Sequence, residues 1–209
     1  DREIDPRAPQ AVSGAGTGLG EAIVVPRDHG LPRVLPTEGG HADFAPRDDA
    51  EIDLFRHARE RFGRVSVERL VSGPGLGTIY EHVVASGEAP PSAAVRARID
   101  AGEDVGTVIG ELGARGEDPA ASAAVERFVS LYGAEAGNVA LRSLPFGGFY
   151  VAGGIAPKLI DALRGGAFLA GSRRLAALDI DNPHPEVSLR ALFGEVWYEG
   201  YDRPEYSWQ

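Results

Sequence analysis

An α/β fold with a mixed β-sheet flanked by helices is what this sequence predicts, and three patterns predict it. Short β-prone runs separated by glycines fill residues 11–37, a long segment of helical periodicity follows Asp118-Pro119, and a short apolar run over 148–152 ends in two glycines. Strands first, then alternating helix and strand, is the order expected of that class.

The elements follow in chain order. Ala11-Val12-Ser13, Ala22-Ile23-Val24-Val25 and Arg33-Val34-Leu35, separated by a glycine-rich turn and a polar turn over Arg27–Gly30, read as a hairpin or three-stranded meander. From Asp48 to Phe62 the period changes, with Ile52, Phe55, Ala58 and Phe62 on one helical face. Acids come first, arginines last, and Gly63 stops the helix, an order that complements the helix dipole. Val67–Ser72 reads as a short strand. Gly73-Pro74-Gly75 opens a helix to about Ser86, and Pro90-Pro91 starts another through Ala101. The strongest helix begins at Asp118 as cap with Pro119 in the first turn, and carries Val125, Phe128, Val129, Tyr132, Ala136, Val139 and Ala140 at 3,4 spacing. Gly148–Ala152 is a strand, Pro157 to about Arg164 a helix, Phe168–Arg174 a helix, Leu175–Ile180 a strand, and Ser188 onward a helix entering a Trp- and Tyr-rich tail.

Composition excludes several function classes. The chain has 209 residues, 43% of them hydrophobic and 25% charged, enough to bury a full core. Its 21 basic residues against 31 acidic ones leave a formal charge of −10, the wrong sign for tracking nucleic acid or an anionic membrane surface. No apolar run reaches bilayer-spanning length, so neither nucleic acid nor membrane is an expected partner. The absence of Cys removes disulfides, thiolate zinc sites and cysteine nucleophiles. Lys158 is the one lysine and lacks the glycine frame of a GxxxxGK[ST] phosphate loop. With no Met, and a polar, proline-bearing stretch from Asp1 to Gln10, residues 1–10 read as a linker or truncated start.

Four blocks carry candidate chemistry. Gly14-Ala15-Gly16-Thr17-Gly18-Leu19-Gly20 reads either as backbone amides converging on an anion, with the Thr17 hydroxyl adding a donor, or as a tight glycine hairpin. It departs from the dinucleotide fingerprint because Leu19 stands where the third glycine belongs. Glu38-Gly39-Gly40-His41 places a carboxylate and an imidazole three residues apart. That pair suits a vicinal diol, with a solvated loop in which His41 pairs with Asp43 as the bland reading. A metal site there is weakened by the lack of a second nearby His. Ser72-Gly73-Pro74-Gly75-Leu76, preceded by Glu68, either offers amides to a ligand or simply packs. Val151–Pro157, a strand ending in Gly153-Gly154, lies where α/β sheets place ligands.

In this order, GAGTGLG, EGGHADFAP, VSVERLVSGPGLGTIYEHV and FGGFYVAGGIAPKL resemble the bacterial glucokinase family of the actin-like (ribonuclease H-like, hexokinase) sugar-kinase superfamily, from about Val12 to Pro183. The resemblance implies an actin-like large domain over 11–183. It also implies ATP and Mg2+ as cofactors, D-glucose as substrate, a cytoplasmic enzyme and a homodimer, for which the helix from Asp118 to Leu144 offers a contact. It assigns Gly14, Gly16, Thr17, Gly18 and Gly20 to ATP phosphates, Gly153 and Gly154 to the adenosine, and Glu38, His41 and Glu68 to glucose hydroxyls.

Two features depart from the family. Its first phosphate motif, Asp-x-Gly-Gly-Thr, and the Asn-Asp pair whose aspartate is the general base have no match; neither Asn138 nor Asn182 precedes an Asp. No catalytic residue and no metal ligand is therefore assigned within this chain. After Asp181-Asn182-Pro183 the family expects a glycine-rich turn and closing helix, whereas residues 184–209 form a divergent aromatic tail with Trp197, Tyr198, Tyr201, Tyr206 and Trp208. The expected function is ATP-dependent phosphorylation of D-glucose, the alternative a non-catalytic sugar- or nucleotide-binding module.

Overall fold

The computed structural model describes residues 5–178. Four strands, β1 (Gln10–Ala15), β2 (Leu19–Val25), β3 (Arg33–Thr37) and β4 (Phe149–Ala152), form one sheet in the order β3-β2-β1-β4. The meander β1-β2-β3 is antiparallel, and β4 returns parallel to β1, so the sheet is mixed as expected. Alternation along β1 turns Ala11, Ser13 and Ala15 inward. The strands reach further into the glycine block than its composition suggests. Gly14 pairs with Gly20 across the hairpin and with Ala152 of β4, which leaves only Gly16-Thr17-Gly18 as the turn.

Seven helices pack on the sheet and on one another: α1 (Asp49–Phe62), α2 (Gly73–Ala85), α3 (Ala93–Asp100), α4 (Val105–Ala114), α5 (Pro119–Ser143), α6 (Ile160–Arg164) and α7 (Ala167–Leu178). Asp48 caps α1 by accepting the Glu51 amide at 3.0 Å, and Gly63 ends it. The buried face is rotated from the predicted one. Glu51, Leu54 and Ala58 point inward, Phe55 and Phe62 are partly buried, and Ile52 is exposed. The cause is a buried ion pair in which Arg47 Nε donates to Glu51 Oε1 at 2.9 Å, which draws an acid into the core that apolar periodicity cannot anticipate.

Two predicted strands are helical instead. Val67–Arg69 is a 3-10 turn leading into Ser72, whose hydroxyl accepts the Gly75 amide at 3.1 Å and donates to Glu68 O at 2.7 Å. Those capping bonds override the β-branched local preference. Leu175–Leu178 continues α7, in keeping with its Leu and Ala content, and α7 lies backbone-close on α5 because a Cβ at Gly133 would overlap Phe168 O. Residues 179–180 of that predicted strand, the predicted helix from Ser188 and the 184–209 tail lie outside the described residues.

α4 was not anticipated. Asp104 caps it by accepting the Thr107 amide at 2.8 Å, but Gly106, Gly110 and Gly113 lower its local propensity. Their value is tertiary: a Cβ at Gly106 would come to 2.5 Å from Gly73 O, so α4 can approach α2 only without it.

α5 runs through the centre of the molecule, and all seven residues of its predicted stripe are buried. Phe128 and Phe168 meet the Tyr132 ring edge to face. The Tyr132 hydroxyl donates to Ser13 O at 2.6 Å and accepts the Ala15 amide at 3.2 Å, pinning the end of β1. Because α5 is largely core, the large apolar side chains left exposed lie at its C-terminal end, at Leu141 and at the capping residue Leu144. Among the described residues, no helix is long and apolar enough to cross a membrane.

Candidate functional site

β1 and β4 are parallel neighbours, so their carboxyl ends share one edge of the sheet, where ligands sit in α/β folds. Beyond that edge lie the Gly16–Gly18 turn and Gly153-Gly154, which the fold brings side by side: a Cβ at Gly14 would stand 3.3 Å from Gly153 N. Gly153 has φ +85°, and a Cβ there would overlap Ala15 O, the carbonyl that accepts the Ile155 amide at 3.2 Å. A Cβ at Gly16 or Gly154 would meet nothing within 4 Å, so both border open space.

Hydrogen bonds hold the turn from two sides. Gly16 N donates to Gly18 O, and Gly16 O accepts the Gly73 amide of α2, both at 2.8 Å. The amides of Thr17 and Gly18 donate to no acceptor among the described residues, and Thr17 is exposed. Two unpaired amides and a hydroxyl at a turn tip are a suitable cradle for an anion. Gly14 and Gly20, by contrast, belong to the strands that present the turn. The α2 N-terminus serves as scaffold: the Gly73 amide is taken by Gly16 O, Pro74 has none, and the Gly75 amide goes to Ser72.

The second corner lies beside the first. β3 ends at Thr37, Glu38 follows, and Gly39–His41 forms a 3-10 turn packed so closely on the hairpin that a Cβ at Gly40 would overlap Leu19 O. His41 Nδ1 is 3.1 Å from Glu38 Oε2, and its Nε2 is 3.6 Å from Glu68 Oε1. The three residues named from the sequence therefore converge, across 30 positions of chain. The Glu38 side chain is 89% exposed and that of Glu68 26%. Glu68 Oε2 reaches the first corner, accepting the Leu19 amide at 2.9 Å. Two carboxylates with an imidazole between them can accept and donate the hydrogen bonds of a polyhydroxylated ligand.

The expected His41–Asp43 pair does not form. Asp43 Oδ1 accepts Arg64 Nε at 2.7 Å, and Arg64 Nη2 donates to His41 O at 2.8 Å, so Asp43 steadies the loop through an arginine that no sequence motif marks.

Glu21 was also missed, although it left a legible signal as a carboxylate on the inward face of β2, two residues from buried Leu19. It lies under Gly39, its Oε1 is buried with no hydrogen-bond partner, and it neighbours buried Ser13 across the β1–β2 pair. Burial, reinforced by the Glu135 charge and partly offset by Arg142, pushes its carboxyl from 4.5 up to about 7. A carboxyl that keeps its proton longer when folded loses stability as pH rises from 4.5 through 7. The full gap would cost ~3 kcal/mol, and residual solvent contact lowers that to about 1–2 kcal/mol. Glu21→Gln is therefore expected to gain on the parent protein by that amount between pH 4.5 and pH 8, read from urea unfolding at both ends. A gap that does not change with pH contradicts the assignment.

Residues 1–176 match the family described as Glucokinase. The chain belongs to the glucokinase family. It is 42% identical over 180 residues to the glucokinase of Synechocystis sp., covering 80% of this chain and 51% of that protein, and 41% identical over 176 residues to the glucokinase of Nostoc sp., covering 78% and 51%. The chain thus spans about half the length of the curated glucokinases it matches. Among solved structures, glucokinase from an Antarctic psychrotroph aligns with a TM-score of 0.68 at 28% identity, over 82% of this chain and 50% of that one. Glucokinase from Balamuthia mandrillaris, solved in complex with glucose, shares the fold with a TM-score of 0.68 at 23% identity, over 85% of this chain and 49% of that one. The mixed sheet with flanking helices is accordingly the actin-like fold of glucokinases.

Proposed function

We propose that this chain supplies the sugar- and nucleotide-binding large domain, over 11–183, of a glucokinase that transfers the γ-phosphoryl of ATP to the 6-hydroxyl of D-glucose. The observation that carries the reading is the convergence of Glu38, His41 and Glu68 beside a glycine turn whose Thr17 and Gly18 amides have no acceptor among the described residues. In it, Glu38, His41 and Glu68 take glucose hydroxyls, and the Thr17 and Gly18 amides with the Thr17 hydroxyl take ATP phosphates. Gly14, Gly16 and Gly20 let the backbone come close, and Gly153 and Gly154 lie against the adenosine.

The turn fits a phosphate because Thr17 is exposed at its tip and the Thr17 and Gly18 amides have no acceptor among the described residues. Mg2+ in this reading enters with the nucleotide and would spread the charge that develops on its phosphates. The residues of this chain bind and orient. None of them is assigned as the base for the 6-hydroxyl, since Glu68 is engaged by Leu19 and His41. A cytoplasmic homodimer belongs to the same reading.

A second reading is a sugar- and nucleotide-binding module without phosphoryl transfer. Assay of the full-length protein with ATP, Mg2+ and a panel of hexoses separates the two. Glucose 6-phosphate formation is expected; glucose binding without turnover supports the module, and no glucose binding refutes both. Glu38→Ala is expected to raise KM for glucose about 5- to 10-fold with kcat little changed. That is just below the range for a charged hydrogen bond because Glu38 is so exposed.

A further inference from the structure

We propose that Glu68 is a positioning residue for the phosphate-side turn as well as a sugar ligand, so that filling the sugar corner stiffens the Gly16–Gly18 turn within this chain. The inference rests on the sugar reading above and adds a coupling that the reading does not require.

The geometry is a two-ended carboxylate. Oε1 faces His41 Nε2 at 3.6 Å, while Oε2 accepts the Leu19 amide at 2.9 Å, at the first residue after the turn. A carboxylate accepting a backbone N–H makes one of the stronger hydrogen bonds in a protein. The same oxygen fills the space above Gly18, where an added Cβ would lie 2.5 Å from it. The other side of the turn is already held, since Gly73 N donates to Gly16 O. Glu68 is thus the tie on the turn that leads to the sugar corner.

The Glu68 backbone offers little freedom. Val67 N donates to Ala42 O at 2.9 Å, and the Glu68 carbonyl accepts the Ser72 hydroxyl at 2.7 Å. Any response to a ligand is therefore confined to its side chain. Sugar hydroxyls that donate to Oε1 hold the carboxylate in place, and the bond from Leu19 becomes more persistent. By thermodynamic reciprocity, a change made at the turn is felt at the sugar.

Gly18 and Gly16 provide an internally controlled pair. Neither has positive φ, so alanine suits both backbones, but only at Gly18 does the new methyl meet Glu68. Titration calorimetry on the full-length protein, with D-glucose in the absence of nucleotide, is expected to show Gly18→Ala weakening glucose at least fivefold. Gly16→Ala stays within twofold of the parent, although both substitutions disturb ADP binding. Hydrogen exchange on the unmutated protein adds a readout that needs no variant: glucose alone is expected to slow exchange over residues 16–19 at least threefold. Equal glucose affinities in the two variants, or exchange untouched by glucose, overturns the coupling while leaving the sugar reading intact. An unmutated protein that binds no glucose overturns the sugar reading itself.

Discussion

Glu68→Ala in the full-length protein is expected to lower kcat/KM for glucose about 100-fold, a larger loss than at Glu38. The sequence ranks the two glutamates alike, but the Glu68 side chain is three-quarters buried whereas Glu38 is nearly all exposed. Truncation removes a charge-assisted acceptor from the sugar and leaves the Leu19 amide without its partner, together worth about 3 kcal/mol. The fold should survive, because the α2 cap uses the Glu68 carbonyl and not its side chain. Steady-state kinetics beside a thermal melt checks both halves. A change below fivefold, or a collapse of the melting transition, contradicts the assignment.

Gly153→Ala is expected to destabilise the protein by about 3 kcal/mol, roughly 10 °C in Tm for a domain of this size, and to abolish nucleotide binding. Two costs add at this position. The φ of +85° is unfavourable for any residue with a Cβ, and the methyl would overlap Ala15 O, a backbone atom that cannot rotate away. Gly154→Ala is the matched control, since its methyl would enter open space. A denaturation series on the two variants reads the difference, and equal stabilities refute the argument.

Much of the fold was legible because its signals are local. Period-2 runs with intervening turns marked β1 to β3, and Asp118, Pro119 and a 3,4 stripe marked α5. The errors arise where tertiary contacts outweigh local preference. Val67–Ser72 is strand-like in composition, yet the Ser72 cap coils it. α4 is poor in helix formers, yet its glycines let three helices meet. Ile52 has the right spacing for the core, but the Arg47–Glu51 pair rotates α1 away from it.

The site divides in the same way. Residue types and order along the chain are one-dimensional information, and they sufficed to identify the family, the glycine turn and the three polar residues Glu38, His41 and Glu68. Which of Gly14–Gly20 form the turn depends on strand register, a pairing between segments that composition does not encode. That Arg64 rather than His41 takes Asp43, and that Glu21 lies buried beneath Gly39, depends on which side chains meet once the sheet and loops are packed. The bridging role of Glu68 follows the same logic. A hydrogen bond across 49 residues of chain exists only after the 3-10 turn has been set against the hairpin, so the sequence alone determined the family and which glycine and polar residues are available, and the tertiary structure decided how they touch.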